Sequence, residues 1–144
     1  MRESYIFKSS GERIVGNLFL PERRKSIGIV LTTGPFTSVK EQASGTYARA
    51  LAERGFAALA FDHRYFGESG GQPRQFEHPR AQIEDIQSAA TALLDEERFA
   101  GLPLFGLGVC YGAGPMALAV FENARFRALA GVAGVYTDVV KTNR

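Results

Sequence analysis

The sequence is poor in cysteine and histidine, and it contains no long apolar segment. Its 144 residues include one cysteine and two histidines, and the net charge is only +2. A single cysteine excludes an internal disulfide and a thiolate zinc cluster. A charge this small, without a run of basic residues, argues against binding to nucleic acid or to an anionic membrane.

The apolar segments are too short for a membrane protein. The longest, residues 56–61 and 128–136, fall far below the roughly 20 residues of a membrane-spanning helix. No apolar segment follows the charged start of the chain, so we expect no secretory signal and a cytoplasmic location. With 45% hydrophobic and 22% charged residues, the composition is typical of a globular chain with one core.

Short apolar runs alternate with segments of helical periodicity. The continuous runs predict buried strands, and a turn at Ser9-Ser10-Gly11 predicts an N-terminal hairpin. Predicted strands cover residues 4–7, 14–20, 27–33, 56–61, 102–109 and 128–136, and predicted helices cover 40–54, a segment from Pro79, and about 115–122. This order predicts the α/β class, with a mostly parallel sheet, helices on both faces and an antiparallel hairpin at the start.

The segment from Gly106 to Gly114 joins a predicted buried strand directly to a helix. At its centre Cys110 has a glycine two residues away on either side, Gly108 and Gly112. A nucleophile elbow requires small residues at these positions, because bulky side chains would clash in its tight strand-to-helix turn. Cys110 would then be the nucleophile, and the backbone N–H of Tyr111 would be one oxyanion donor. The alternative is an ordinary core cysteine beside glycines that only permit close packing.

Two other motifs are weaker. Residues 67–71 match the literal pattern G-x-S-x-G around Ser69, but Gln72-Pro73 follows instead of a helix. Gly106 and Gly108 resemble the start of a dinucleotide fingerprint, yet Tyr111 stands where the third glycine would fall. We therefore predict neither a Ser69 nucleophile nor a nucleotide site.

A longer stretch resembles a known family. The residues that carry the resemblance are Val39-Lys40-Glu41-Gln42, Tyr47-Ala48, Leu51-Ala52, Gly55-Phe56, Leu59-Ala60-Phe61-Asp62, Phe66-Gly67-Glu68-Ser69-Gly70-Gly71, Pro73-Arg74 and Glu84-Asp85-Ile86. Together they are similar to the α/β-hydrolase superfamily and, more narrowly, to bacterial dienelactone-hydrolase-like enzymes. Many of those enzymes carry cysteine or serine in a G-x-[CS]-x-G-G elbow.

The resemblance implies a function. Cys110 would attack an ester, lactone or thioester carbonyl of a small molecule and form an acyl-enzyme, with no cofactor and no metal. The second oxyanion donor would come from the loop after the strand that ends at Thr33. Pro35 has no N–H, so Phe36 is the candidate by position.

The resemblance also implies that part of the machinery lies outside this sequence. In the superfamily an acid and a histidine follow the nucleophile along the chain, whereas His63 and His78 both precede Cys110. Residues 1–144 would thus be the N-terminal portion of a single hydrolase domain. His63, after a strand end, is either near Cys110 or a loop histidine with local hydrogen bonds. His78, at a helix start, is expected at the surface, and Asp62 in a structural role.

The last predicted strand, from Ala128 to Tyr136, has the apolar character of a central strand. As the final strand it would expose an unpaired apolar edge, which natural proteins avoid. We therefore predict that this edge is covered either by a missing half in a longer gene product or by another chain, through self-association or a partner. The alternative to a hydrolase is a non-catalytic fragment or a partner-binding module that keeps half of the hydrolase fold.

Overall fold

A computed structural model describes residues 1–136 of the chain. Six strands form one sheet in the order β1-β2-β4-β3-β5-β6. The strands are β1 (Arg2–Ser9), β2 (Glu12–Phe19), β3 (Ile29–Thr33), β4 (Ala57–Phe61), β5 (Leu104–Val109) and β6 (Phe126–Val132), and the α-helices are α1 (Ala43–Glu53), α2 (Pro79–Leu94) and α3 (Ala113–Glu122). Within residues 1–136, no helix is long and apolar enough to cross a membrane.

The sheet begins with the predicted hairpin. β1 and β2 pair antiparallel, with Ser9 opposite Glu12. The two residues between them, Ser10 and Gly11, have φ of 47° and 84°, which is the left-handed pair that matches the twist of a tight hairpin. β2 then pairs antiparallel with β4.

The other strands, β4, β3, β5 and β6, are parallel. Each pair of successive strands from β3 onward is connected through one of the three α-helices. α1 packs on one face of the sheet, where Ala48 and Ala52 allow a close approach, and α2 and α3 cover the other face. The predicted fold class is therefore confirmed. Because the strands are parallel, their carboxyl ends lie on the same side of the sheet. The loops that follow β3, β4 and β5 therefore meet there, at what we call the carboxyl edge of the sheet.

The last strand differs from its prediction. β6 covers Phe126–Val132 instead of residues 128–136, and residues 127–131 are exposed instead of buried. The reason is position: β6 pairs with β5 on one side, and no strand within residues 1–136 pairs with its other side. Apolar composition predicts burial only where a neighbour exists to provide it, and here Leu129 remains 36% exposed.

A buried ion pair fixes the loops at the carboxyl edge of the sheet. Asp62, directly after β4, accepts the Lys40 backbone N–H at 2.8 Å and the Lys40 ammonium at 2.8 Å. It also accepts the Glu68 N–H at 2.9 Å, so one carboxylate joins the loop after β3 to the loop after β4. Lys40 and Asp62 are 2% and 1% exposed. Burial would lower the pKa of the Lys40 ammonium, but hydrogen bonds to Asp62, Glu68 and Glu41 outweigh it and raise that pKa.

This pair also changes the start of α1. The predicted helix began at Lys40, but α1 begins at Ala43. Before α1 the chain forms a turn in which the Gln42 N–H donates to the Val39 carbonyl oxygen at 3.0 Å, while the Lys40 backbone N–H and ammonium both bind Asp62.

We predict that Asp62→Ala lowers the free energy of unfolding by about 3–5 kcal/mol, because it leaves a buried ammonium and two N–H groups without their acceptor. Urea denaturation at neutral pH measures the change. Glu122→Ala is the control, since it removes a surface pair with Arg80 at 2.9 Å and is expected to leave the midpoint nearly unchanged. If the two substitutions lower the free energy of unfolding equally, the buried pair of Lys40 and Asp62 stabilises the fold no more than a surface pair, and the prediction is wrong.

Candidate active site

Cys110 lies on a sharp turn between β5 and α3. Its φ is 54°, a left-handed conformation that a residue with a Cβ adopts only at an energetic cost. A short 3-10 turn over Cys110–Gly112 leads directly into α3 at Ala113. The thiol-bearing residue is therefore at the carboxyl end of a buried parallel strand, partly exposed, and immediately before a helix N-terminus.

The two glycines that flank Cys110 have no room for a side chain. A Cβ on Gly108 would lie 2.4 Å from Ala113 Cα, and a Cβ on Gly112 would lie 2.5 Å from the Gly34 carbonyl oxygen. Both contacts are with the backbone, so neither clash can be relieved by a rotamer change. The glycine spacing in the sequence therefore has a steric cause at this turn.

The loop after β3 lies against the same turn. Thr33 Oγ1 donates to the Gly112 carbonyl oxygen at 2.9 Å, and the rings of Phe36 and Tyr111 meet edge to face with centroids 5.2 Å apart. The two residues predicted as oxyanion donors are thus neighbours. The Phe36 N–H makes no hydrogen bond within residues 1–136, and the Tyr111 N–H belongs to a first helical turn, whose N–H groups have no intrahelical acceptor.

The chain after β6 returns to this turn. Ala133 has φ of 48°, and two residues later the Val135 N–H donates to the Cys110 carbonyl oxygen at 3.1 Å. A Cβ on Gly114 would lie 2.9 Å from the Val135 carbonyl oxygen. Val135 thus contacts the turn and the start of α3, which the prediction of a longer β6 did not anticipate.

His63 lies at the same edge of the sheet. Together with Tyr111 and Gly112 it lines a small pocket of about 20 Å³, which is large enough for one water molecule. Its Nδ1 is buried without a hydrogen bond within residues 1–136 and lies 3.4 Å from Asp85 Oδ2, the geometry of an ion pair that forms when the imidazole is protonated. A catalytic role for His63 stays a prediction.

Asp85 is fully buried in α2 and holds the loop after β4. It accepts the Arg64 N–H at 2.8 Å and Arg64 Nε at 2.7 Å. Burial would raise the pKa of the Asp85 carboxyl, but His63 and the Arg64 backbone N–H outweigh it and keep that pKa below its ordinary value. Arg64 also donates to Glu84 and to the Ala81 carbonyl oxygen, so these charges organise structure beneath the site.

The remaining candidates have structural roles. Ser69 Oγ accepts the Val15 N–H at 2.9 Å and donates to the Asp62 carbonyl oxygen at 2.6 Å, and the residue is 3% exposed. Its hydroxyl is thus committed to a buried network. His78 is the N-cap of α2, where Nδ1 accepts the Ala81 N–H at 3.1 Å. Within residues 1–136, no group of three His, Cys, Asp or Glu side chains is arranged to hold a metal ion.

One residue at this edge was not singled out by the sequence. Glu77 accepts the Thr37 N–H at 2.7 Å, directly after Phe36. The two residues are 40 positions apart in two irregular loops, so no periodicity or motif could have paired them.

The chain matches a known protein family. The family described as serine aminopeptidase, S33, matches residues 29–141. The chain belongs to this α/β-hydrolase family. This chain has a cysteine, Cys110, at the turn between β5 and α3, although the family is named for serine.

Relatives of this S33-family chain are bacterial and fungal. It is 41% identical over 114 residues to YcjY of Escherichia coli (strain K12), covering 79% of this chain and 37% of YcjY. The protein PA2218 of Pseudomonas aeruginosa is 42% identical over 124 residues, 83% of this chain and 33% of the relative. The thiohydrolase aneE of Aspergillus aculeatus is 39% identical over 83 residues, 58% of this chain and 26% of the relative.

The crystal structure of PA2218 has a TM-score of 0.87 to this chain at 34% identity, covering 94% of this chain and 43% of that one. In sequence the chain spans about a third of the length of the curated relatives it matches, 37% and 33% for the first two.

We predict that Gly108→Ala destabilises the fold by about 3 kcal/mol, because the added methyl group forces the backbone of β5 away from that of α3. Thermal unfolding followed by circular dichroism measures the loss. The control is Gly101→Ala, where a Cβ meets nothing within 4 Å and only the φ of 76° opposes it, so a loss of about 1 kcal/mol is expected. If Gly108→Ala is no worse than the control, the steric account of the turn is wrong.

Proposed function

We propose that this chain is part of an α/β-hydrolase that cleaves an ester, lactone or thioester through Cys110. The observation that carries the proposal is the left-handed backbone of Cys110, with φ of 54°, at the end of β5 and before α3. In hydrolases of this architecture such a strained strand-to-helix turn presents the nucleophile. The elbow assignment is preferred to a core cysteine because Cys110 is only partly buried and a core role would not require this backbone.

The proposed reaction is acyl transfer to water. The Cys110 thiolate attacks the substrate carbonyl carbon, and the carbonyl π electrons move to the oxygen, which the N–H groups of Tyr111 and Phe36 stabilise. The tetrahedral intermediate collapses, and the alkoxide or thiolate leaving group departs with the proton that the general base took from the Cys110 thiol, so that a thioester to Cys110 remains. Water then gives a proton to the base and attacks this acyl-enzyme, which releases the carboxylic acid, and the proton returns to the Cys110 sulfur.

The general base is proposed to be a histidine that follows Cys110 in chain order, as the superfamily order requires. No histidine follows Cys110 in the 144 residues, so the whole protein is the species to test. His63, near Tyr111 and Gly112 in the pocket they share, is the alternative within these residues.

For the substrate, we propose a small molecule with an activated acyl group, a thioester before a simple ester. One relative, 39% identical over 83 residues, is named a thiohydrolase. The dienelactone-hydrolase-like subtype belongs to this proposal as well, since a lactone presents the same reacting carbonyl.

We predict that Cys110→Ala reduces hydrolysis of a p-nitrophenyl ester at least about a thousandfold, because removing a covalent nucleophile leaves only binding and oxyanion stabilisation. The protein as its gene encodes it is assayed by p-nitrophenolate release, and an acylated Cys110 is sought by mass spectrometry. Ser69→Ala is the matched control: it disturbs a buried hydroxyl and lowers stability, but the rate of the folded fraction should remain. Activity that survives Cys110→Ala would rule out the proposed nucleophile.

A second candidate, a partner-binding module, is favoured by one observation. The unpaired side of β6 exposes an apolar depression, lined by Ala128, Leu129 and Ala130 together with Phe105 of β5 and Phe56, the residue before β4. Exposed apolar surfaces of this kind are typical of sites that another polypeptide segment covers. Self-association there stays a prediction.

If a second copy covers β6, Leu129→Lys should convert a dimer to a monomer in size-exclusion chromatography with light scattering, because it places a charge in the apolar contact. Ile6→Lys is the control, since Ile6 is 53% exposed on β1 at the opposite edge of the sheet. A wild-type chain that is already monomeric at high concentration would contradict self-association.

A further inference from the structure

Glu77 connects a helix to the loop that carries Phe36. The residue immediately precedes His78, the N-cap of α2. One carboxylate oxygen, Oε1, accepts the Thr37 N–H at 2.7 Å, and the other, Oε2, accepts Gln82 Nε2 from the first turns of α2. Since Gln82 is only 6% exposed, its amide is a fixed point to which the carboxylate attaches the loop.

The hydrogen bond to Glu77 restrains this part of the loop in addition to the ring contact between Phe36 and Tyr111. Thr37 adopts a left-handed φ of 57°, so the backbone at Phe36 and Thr37 needs a partner to hold it. Within residues 1–136, the bond to Glu77 is the only hydrogen bond that joins Phe36 or Thr37 to another element. The nearby bonds from Ser38 to the Pro35 carbonyl oxygen, at 2.7 and 3.2 Å, stay inside the loop.

Glu77 also lies beside the turn that carries Cys110. Glu77, Gly34, Tyr111 and Gly112 line the same small pocket. Burial raises the pKa of the Tyr111 hydroxyl, and the negative charge of Glu77 raises it further. The carboxylate is therefore close to both loops that would supply oxyanion donors.

We propose that Glu77 is a positioning residue for the oxyanion hole: by accepting the Thr37 N–H, it holds the Phe36 N–H beside the Cys110 turn. The proposal rests on the proposed function, and it adds a residue that acts through Phe36 without touching substrate. Oxyanion donors stabilise a transition state only when they are held in place before the reaction. A charged acceptor provides a stronger hydrogen bond for this purpose than a neutral one.

The test compares Glu77→Ala with Glu77→Gln in the protein as its gene encodes it. Two reactions of Cys110 are measured: acylation by p-nitrophenyl acetate, which develops an oxyanion, and alkylation by iodoacetamide, which does not. We expect Glu77→Ala to slow acylation and kcat about 10- to 100-fold with KM within about twofold, because a displaced donor costs less than the 100- to 1,000-fold of a deleted one. Glu77→Gln keeps an acceptor for Thr37 and should retain at least about a third of the rate. Alkylation should be equal in all three proteins.

Glu122→Gln provides the control, because Glu122 forms an exposed pair with Arg80 at 2.9 Å away from the site and should not change acylation. Hydrogen exchange at the Thr37 amide adds a readout that is independent of activity, and it should accelerate in Glu77→Ala. The role of Glu77 would be overturned if Glu77→Ala is acylated at the wild-type rate, or if its alkylation slows as much as its acylation. It would also be overturned if hydrogen exchange at the Thr37 amide does not change. A wild-type protein that is never acylated would instead overturn the proposed function, and this role with it.

Discussion

The close approach of two backbones at Gly112 is the constraint on which the site depends. The turn after β5 lies so near the strand end at Thr33 and Gly34 that a single methyl group at residue 112 would fall 2.5 Å from a carbonyl oxygen. This contact brings the loop after β3 beside Cys110 and aligns Phe36 with Tyr111. At Gly108 a similar approach presses the first residue of α3 against β5. The contact at Gly108 results from a helix that begins after a short turn, Cys110–Gly112, at the end of a buried strand.

Buried charges then give the surrounding loops one conformation. Asp62 and Asp85 each accept at least one backbone N–H as well as a cationic side chain. A carboxylate that satisfies both kinds of donor fixes where a loop runs, which an apolar contact of the same size would not specify. Several residues that carry the resemblance to the hydrolase superfamily, Lys40, Asp62, Glu68 and Asp85, thus build this edge of the sheet.

Much of this architecture could be predicted because it depends on local patterns. Continuous apolar runs identified the parallel strands, and Ser10-Gly11 identified the hairpin turn. The position of Cys110 between two glycines identified the strand-to-helix turn. Burial of β6 could not be predicted from its composition, because it depends on a neighbouring strand and not on the strand itself.

Contacts between distant loops were equally inaccessible. The predicted start of α1 was three residues too early, in a segment where the backbone and side chain of Lys40 bind Asp62, 22 positions away. Glu77 carries no signal of its own in the sequence, and only the fold brings it to Thr37. Such contacts determine the geometry of a site but produce no periodic pattern in the sequence.

At Cys110, the stability of the fold and the chemistry proposed for the site favour different residues. A residue with a Cβ at φ of 54° costs about 1–2 kcal/mol relative to glycine, which adopts this conformation freely. Glycine at this position would therefore relax the turn, but it would also remove the one sulfur atom that the turn exposes. If Cys110 is the proposed nucleophile, the position trades stability against chemistry: the substitution that best suits the backbone is the one that removes the reacting group.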